Sequence, residues 1–102
     1  MNPVDNAYDA MRGMERAVAG LMAIAYTRLG QDEHGEAIRV IDETIEQIGD
    51  NPAFNALVEA LAGISEKIED GQAPEARGIL RGLIFKLGDK FLQEIIIRQE
   101  MA

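Results

Sequence analysis

The stretch Gly35–Asp50, GEAIRVIDETIEQIGD, sets isoleucines at 38, 41, 45 and 48 against acids at 42, 43 and 46. Spacing of 3, 4 and 3 brings an apolar side chain back to one face of a 3.6-residue helix, so the segment reads as an amphipathic helix ended by Gly49. Thirty-nine residues later, Pro74–Asp89 reads PEARGILRGLIFKLGD. Glu75-Ala76 stands where Glu36-Ala37 stood, Ile84 replaces Ile45, and Gly88-Asp89 replaces Gly49-Asp50.

The segments before these two helices also match. At an offset of 40, MERAVAGLMAI (Met14–Ile24) falls on FNALVEALAGI (Phe54–Ile64), pairing Met14 with Phe54, Val18 with Val58, Leu21 with Leu61 and Ile24 with Ile64. The chain is thus a helical hairpin written twice. One hairpin cannot cover its own apolar face, and a second copy stacked on it can.

Start and stop signals set the boundaries. Asn2-Pro3 opens a first helix that runs to Leu29 and stops at Gly30, with Asp5 and Asp9 suited to its N-terminal dipole. Gly13 and Gly20 weaken it and mark a kink or a close helix contact. Asn51-Pro52 opens a third helix that reaches Gly71, with apolar positions at 54, 57, 58, 61, 64 and 68. The fourth takes Pro74 in its first turn and is expected to bury 76, 79, 80, 83, 84 and 87. After Gly88-Asp89 comes KFLQEIIIRQEMA, a bent continuation or a short fifth helix.

The expected fold is all-α: two stacked helical hairpins, tetratricopeptide-like, with a C-terminal helix. It forms one domain over 1–102, with hairpin one at 3–49, hairpin two at 51–88 and a C-terminal segment at 89–102. A repeat period near 40 and first helices rich in alanine and glycine fit an open array with a concave side. A closed four-helix bundle would use the same stripes around one centre.

Composition narrows the function. With 102 residues and 47% hydrophobic content, the chain can bury a core. It has no cysteine, which excludes disulfides, thiolate metal sites and cysteine nucleophiles. The net charge of −8 disfavours nucleic acid. Residues 1–70 hold 14 acids and 5 bases, whereas 71–102 hold 4 acids and 5 bases. The acidic half serves solubility and would steer a basic partner. MNPVDNAYD lacks a signal peptide's pattern, and the apolar run Ala17–Tyr26 is about half of the ~20 residues a membrane span needs. No membrane insertion is expected.

Little points to chemistry. His34, in QDEHGE, is the one histidine, too few for a zinc or di-iron site, and it reads as a loop residue near the cap of the second helix. Ser65 is the one serine and has no histidine near it in the helix pattern. No catalytic residue, metal or cofactor is assigned. The informative positions are apolar ones off the repeating stripes: Met22, Tyr26 and Phe85, and Phe91, Ile95 and Ile97 in FLQEIII. Three consecutive isoleucines cannot all face one core from one helix. These six residues are the candidate partner-binding set, for an amphipathic helix of another protein or for an identical subunit.

LMAIAYTRLGQDEHGEAIRVIDETI resembles the signature region of the tetratricopeptide-like chaperones for type III secretion needle subunits. The shared pattern is an alanine-rich helix reaching Gly30, a short loop, His34, Glu36 and Ala37, then Val40 or Ile41 with Glu43; EDGQAPEARGIL is similar to the family's next turn. The resemblance spans about residues 20–80, and the tail after Gly88 has no counterpart in it. It implies a non-enzymatic cytoplasmic chaperone of bacterial origin. Such a chaperone joins a small co-chaperone and holds the amphipathic helix of a small, polymerising secreted subunit. The competing expectation is a self-assembling helical bundle with a structural or regulatory role.

Overall fold

The computed structural model describes the backbone of residues 3–102 and the side chains from Tyr8 onward. The expected cap at Asn2 and the Asp5 side chain lie outside the described residues. Five helices follow in order: α1 (Pro3–Gly30), α2 (His34–Ile48), α3 (Asn55–Glu69), α4 (Ala73–Leu87) and α5 (Lys90–Met101), with a single 3-10 turn at Pro52–Phe54 before α3. The fold is all-α, two helical hairpins stacked on each other with a C-terminal helix.

Local chemistry explains most boundaries. Asn51 Oδ1 accepts from the Ala53 N–H at 3.1 Å, and this cap, read as the start of a helix, opens the 3-10 turn instead. Gly49 ends α2 at φ 65°, ψ −146°, a conformation open to glycine. The end of α1 departs from the sequence reading. Gly30 is its last helical residue, and the left-handed position is taken by Asp32 (φ 59°), while the Glu33 N–H reaches back to the Arg28 carbonyl at 2.9 Å. The α3 end repeats this device with Gly71 at φ 81° and the Gln72 N–H on the Lys67 carbonyl at 2.8 Å.

The hairpin stack closes on itself. α1 packs on α2, α2 on α3 and α3 on α4, and α4 packs back on α1. This ring decides between the open array and the closed bundle in favour of closure, because α1 meets the second helix of the other pair. At its centre lie Val18, Met22, Ile41, Leu61, Ile64, Leu80 and Ile84, each at most 1% exposed. Ala19, Ala25, Ala37 and Ala76 are fully buried, and their small side chains let the helix backbones approach. Thr44, also interior, returns its hydroxyl proton to the Val40 carbonyl at 2.7 Å.

The two copies are equivalent in part. Ala37 and Ala76 are both fully buried, as are Ile41 and Leu80 within 1%. The first helices diverge: Ile64 is 1% exposed and its counterpart Ile24 is 46% exposed. Apolar positions on α4 also divide, with Ala76, Leu80 and Ile84 buried, Leu83 and Leu87 half-buried and Ile79 exposed.

α5 turns away from α4 at Gly88-Asp89 and lies over the seam between α1 and α4. Gly88 is extended (φ −85°, ψ 166°), and a Cβ there would lie 2.7 Å from the Ile84 carbonyl oxygen and 3.3 Å from Ala19 Cβ. Asp89 caps α5 by accepting from the Leu92 N–H at 3.1 Å. The break is therefore a true helix end followed by a new start.

Because Ile84 is fully enclosed and its sequence counterpart Ile45 only half-buried, the two should not be energetically equivalent. Ile84→Ala is expected to cost roughly 2–5 kcal/mol and Ile45→Ala under about 2 kcal/mol. Urea unfolding of the two variants measures the difference.

Candidate functional site

α1 carries two buried flanks. Val18, Met22, Ala25 and Leu29 recur at 4, 3 and 4 and face the ring interior, while Ala19, Ala23 and Tyr26 lie about a quarter-turn round. α5 and α4 cover this second flank. Its polar fastening centres on Tyr26, whose ring stacks under the Arg77 guanidinium at 4.0 Å and whose carbonyl accepts from Arg77 Nε at 3.3 Å. The Tyr26 hydroxyl donates to Glu100 Oε1 at 3.2 Å, and Glu100 pairs with Arg81. Gln99 Nε2 donates to Thr27 Oγ1 at 2.7 Å, and Gln93 Nε2 to the Phe85 carbonyl at 3.2 Å.

Gly30 has a role in this fastening. A Cβ at Gly30 would lie 2.6 Å from Arg77 Nη2, so the missing side chain leaves room for the guanidinium beside the C-terminus of α1, where a cation suits the helix dipole. The Arg81 hydrogen bond holds the Glu100 carboxyl below the usual carboxylate range. Burial, foremost, pushes the Tyr26 phenol above its ordinary value.

These contacts correct part of the candidate partner-binding set. Met22 (1% exposed) and Tyr26 (3%) belong to the interior: Met22 faces the ring, and Tyr26 lies on the second flank, which α4 and α5 cover where a simple amphipathic helix would meet water. Phe85 is half-buried beneath the Arg81 guanidinium, 4.4 Å from its ring centre. The three isoleucines of FLQEIII separate as one helix requires: Ile96 is fully buried, Ile95 half-buried and Ile97 40% exposed. Phe91, at 68%, stands well into solvent.

A groove remains on the outer side of α1 along α5. It encloses about 350 Å³ and is lined by Gly20, Ala23, Ile24, Thr27 and Arg28 from α1 and by Leu92 and Ile95 from α5. A Cβ at Gly20 would meet nothing within 4 Å. Gly20 thus leaves the floor of the groove open, and the close helix contact expected there is absent. Arg28 at the rim is paired with Glu33 at 3.0 Å. Of the sequence candidates, the groove contains Ile95. Ile24 was missed because its match to Ile64 placed it in the core. A second hollow of about 300 Å³, with Met11, Phe54, Leu57, Leu83 and Leu87 on its walls, lies where α1, α3 and α4 meet.

Neither Ser65 nor His34 lines these two hollows. Ser65 is buried on α3, with a hydroxyl that has no hydrogen-bond partner among the described residues. His34 is the first residue of α2, its Nε2 4.0 Å from Asp32 Oδ1. Among the described residues no three potential metal ligands gather, and no helix is long and apolar enough to cross a membrane. Comparison of the chain with protein-family models, with curated proteins and with solved structures returns no match.

The Glu100 latch should be visible in acid. A carboxyl whose folded value is lowered stabilises the fold above its unfolded value, and that contribution is lost as pH falls through the folded value. Wild type should therefore exceed Glu100→Gln in urea midpoint near pH 6, with the gap closing as pH drops below the carboxylate range. Paired urea titrations across pH 3–6 (roughly the window set by an unperturbed Glu near 4.3) measure this.

Proposed function

We propose that the protein is a non-enzymatic adaptor or chaperone, and that the groove between α1 and α5 shelters the apolar face of an amphipathic helix from a partner protein. The observation that carries this reading is the pairing of an exposed Ile24 with Leu92 and Ile95 across an unfilled floor at Gly20 and Ala23. Small residues admit a guest backbone closely, and aliphatic walls receive side chains at helical spacing. Burying the guest's self-association face in this way keeps it from polymerising, with binding free energy alone as the driver.

The resemblance of Gly30–Glu43 to needle-subunit chaperones gives this reading its sharpest form. The guest is then the helix of a small secreted subunit held in the cytoplasm, with a small co-chaperone alongside. In the family the guest sits on a concave face. Here the ring interior is filled by Met22 and its neighbours, so the guest's place passes to the α1–α5 groove. A second reading, self-assembly with a structural or regulatory role, is favoured by the far side of α5, where Phe91, Ile97 and Met101 are 68%, 40% and 81% exposed.

Two substitutions test the groove without touching the core. Ile24→Glu places a charge on its wall, and Gly20→Leu fills its floor while removing a helix-weakening glycine. The tagged wild type isolated from its own cells is expected to retain a small helical protein, identified by mass spectrometry. Each variant should retain roughly tenfold less, the equivalent of about 1.4 kcal/mol, with an unchanged circular dichroism spectrum. Full retention by both variants would remove the groove from the proposal.

A further inference from the structure

We infer that the outer ridge of α5 is a self-complementary seam that pairs antiparallel with α5 of a second copy of this chain. This deepens the self-assembly reading and does not depend on any guest in the α1–α5 groove.

The ridge is read from four residues. Phe91, Glu94, Arg98 and Met101 follow one another at 3, 4 and 3, the spacing of a and d positions over the length of α5. All four are exposed, whereas Leu92, Ile96 and Gln99, on the opposite side of the helix, face α1 and α4. The ridge therefore has apolar ends and a centre of opposite charges. Glu94 and Arg98 stand i, i+4 apart, yet neither makes an ion pair among the described residues. By contrast, Glu100 and Arg81 nearby are already joined.

The order of these residues selects one pairing. In an antiparallel pair an a position meets a d position, so Phe91 faces the partner's Met101 and Glu94 faces the partner's Arg98. The two-fold axis repeats both contacts, giving two charge pairs at the centre and an apolar contact at each end. On the flanks, the two-fold sets Ile95 against the partner's Ile95 and Ile97 against the partner's Ile97. A parallel pair would set Glu94 against the partner's Glu94 and Arg98 against the partner's Arg98, and like charges so placed repel. A helix of 12 residues offers a seam of only about 18 Å, so the dimer is weak and concentration-dependent.

Charge exchange tests both the pairing and its direction. In sedimentation equilibrium from about 10 μM to about 1 mM, the range in which weak interfaces associate, the mass of the wild type should rise from 11.2 kDa towards twice that value. Glu94→Arg and Arg98→Glu should each weaken association roughly tenfold or more, and the double exchange Glu94→Arg/Arg98→Glu should restore it to within about threefold of wild type. Because the chain has no cysteine, a mixture of Phe91→Cys and Met101→Cys chains should form a disulfide-linked dimer on oxidation. Phe91→Cys alone should not. Ile24→Glu should leave the mass curve unchanged, so failure of the groove and failure of the seam read out separately. A wild type that stays monomeric throughout, a double exchange no better than the singles, or efficient self-linking by Phe91→Cys alone would each overturn the proposal.

Discussion

The structure depends on covering α1 on two sides at once. Its interior flank, from Val18 to Leu29, is met by the ring, and its second flank, around Ala19, Ala23 and Tyr26, is met where α4 and α5 converge. Burying a large aliphatic or aromatic side chain is worth about 1.5–3 kcal/mol, and a half-covered Tyr26 or Met22 would forgo much of that. Closing the ring places α4 beside α1, and the α1–α4 seam so formed is the seat on which α5 lies. The groove and the outer ridge of α5 both follow from that placement.

The same constraint separates what the sequence made legible from what it hid. The stripes of α2, α3 and α4 were readable because each helix buries one face, and one face produces one period. Ala37 with Ala76 and Ile41 with Leu80 occupy equivalent interior places, as the internal repeat indicates. α1 was misread because its second flank is fastened by residues 51 to 74 positions away. Nothing in the local pattern around Met22 or Tyr26 distinguishes a side chain awaiting a partner from one covered by the chain's own distant helices. The repeat itself misplaced Ile24, since α1 sits between three neighbours and its counterpart α3 between two. Gly30 was readable as a special position, but its use, clearance for Arg77, is a tertiary matter, and Asp32 supplies the left-handed turn.

The charge asymmetry also has a structural expression. Exposed acids on the outer face of α2 are partly neutralised within that helix, where Arg39 bonds both Glu36 and Glu43. Arg77 and Arg81, from the more basic C-terminal third, are spent on Tyr26, Phe85 and Glu100. Two of the five bases of that segment thus serve internal fastening, and the groove between α1 and α5 is left largely apolar.

The two-residue link at Gly88-Asp89 gives α5 an unusual economy of attachment. α5 commits one fully buried side chain, Ile96, and a handful of hydrogen bonds to its seat, too little to recruit a free helix from solution. Two residues span at most about 7 Å, so a detached α5 stays beside the seam at an effective concentration in the millimolar range or above. Tethering supplies what contact area lacks. Any outside helix seeking the same seat competes with a neighbour that is never dilute, and the outer groove is open to guests without that contest.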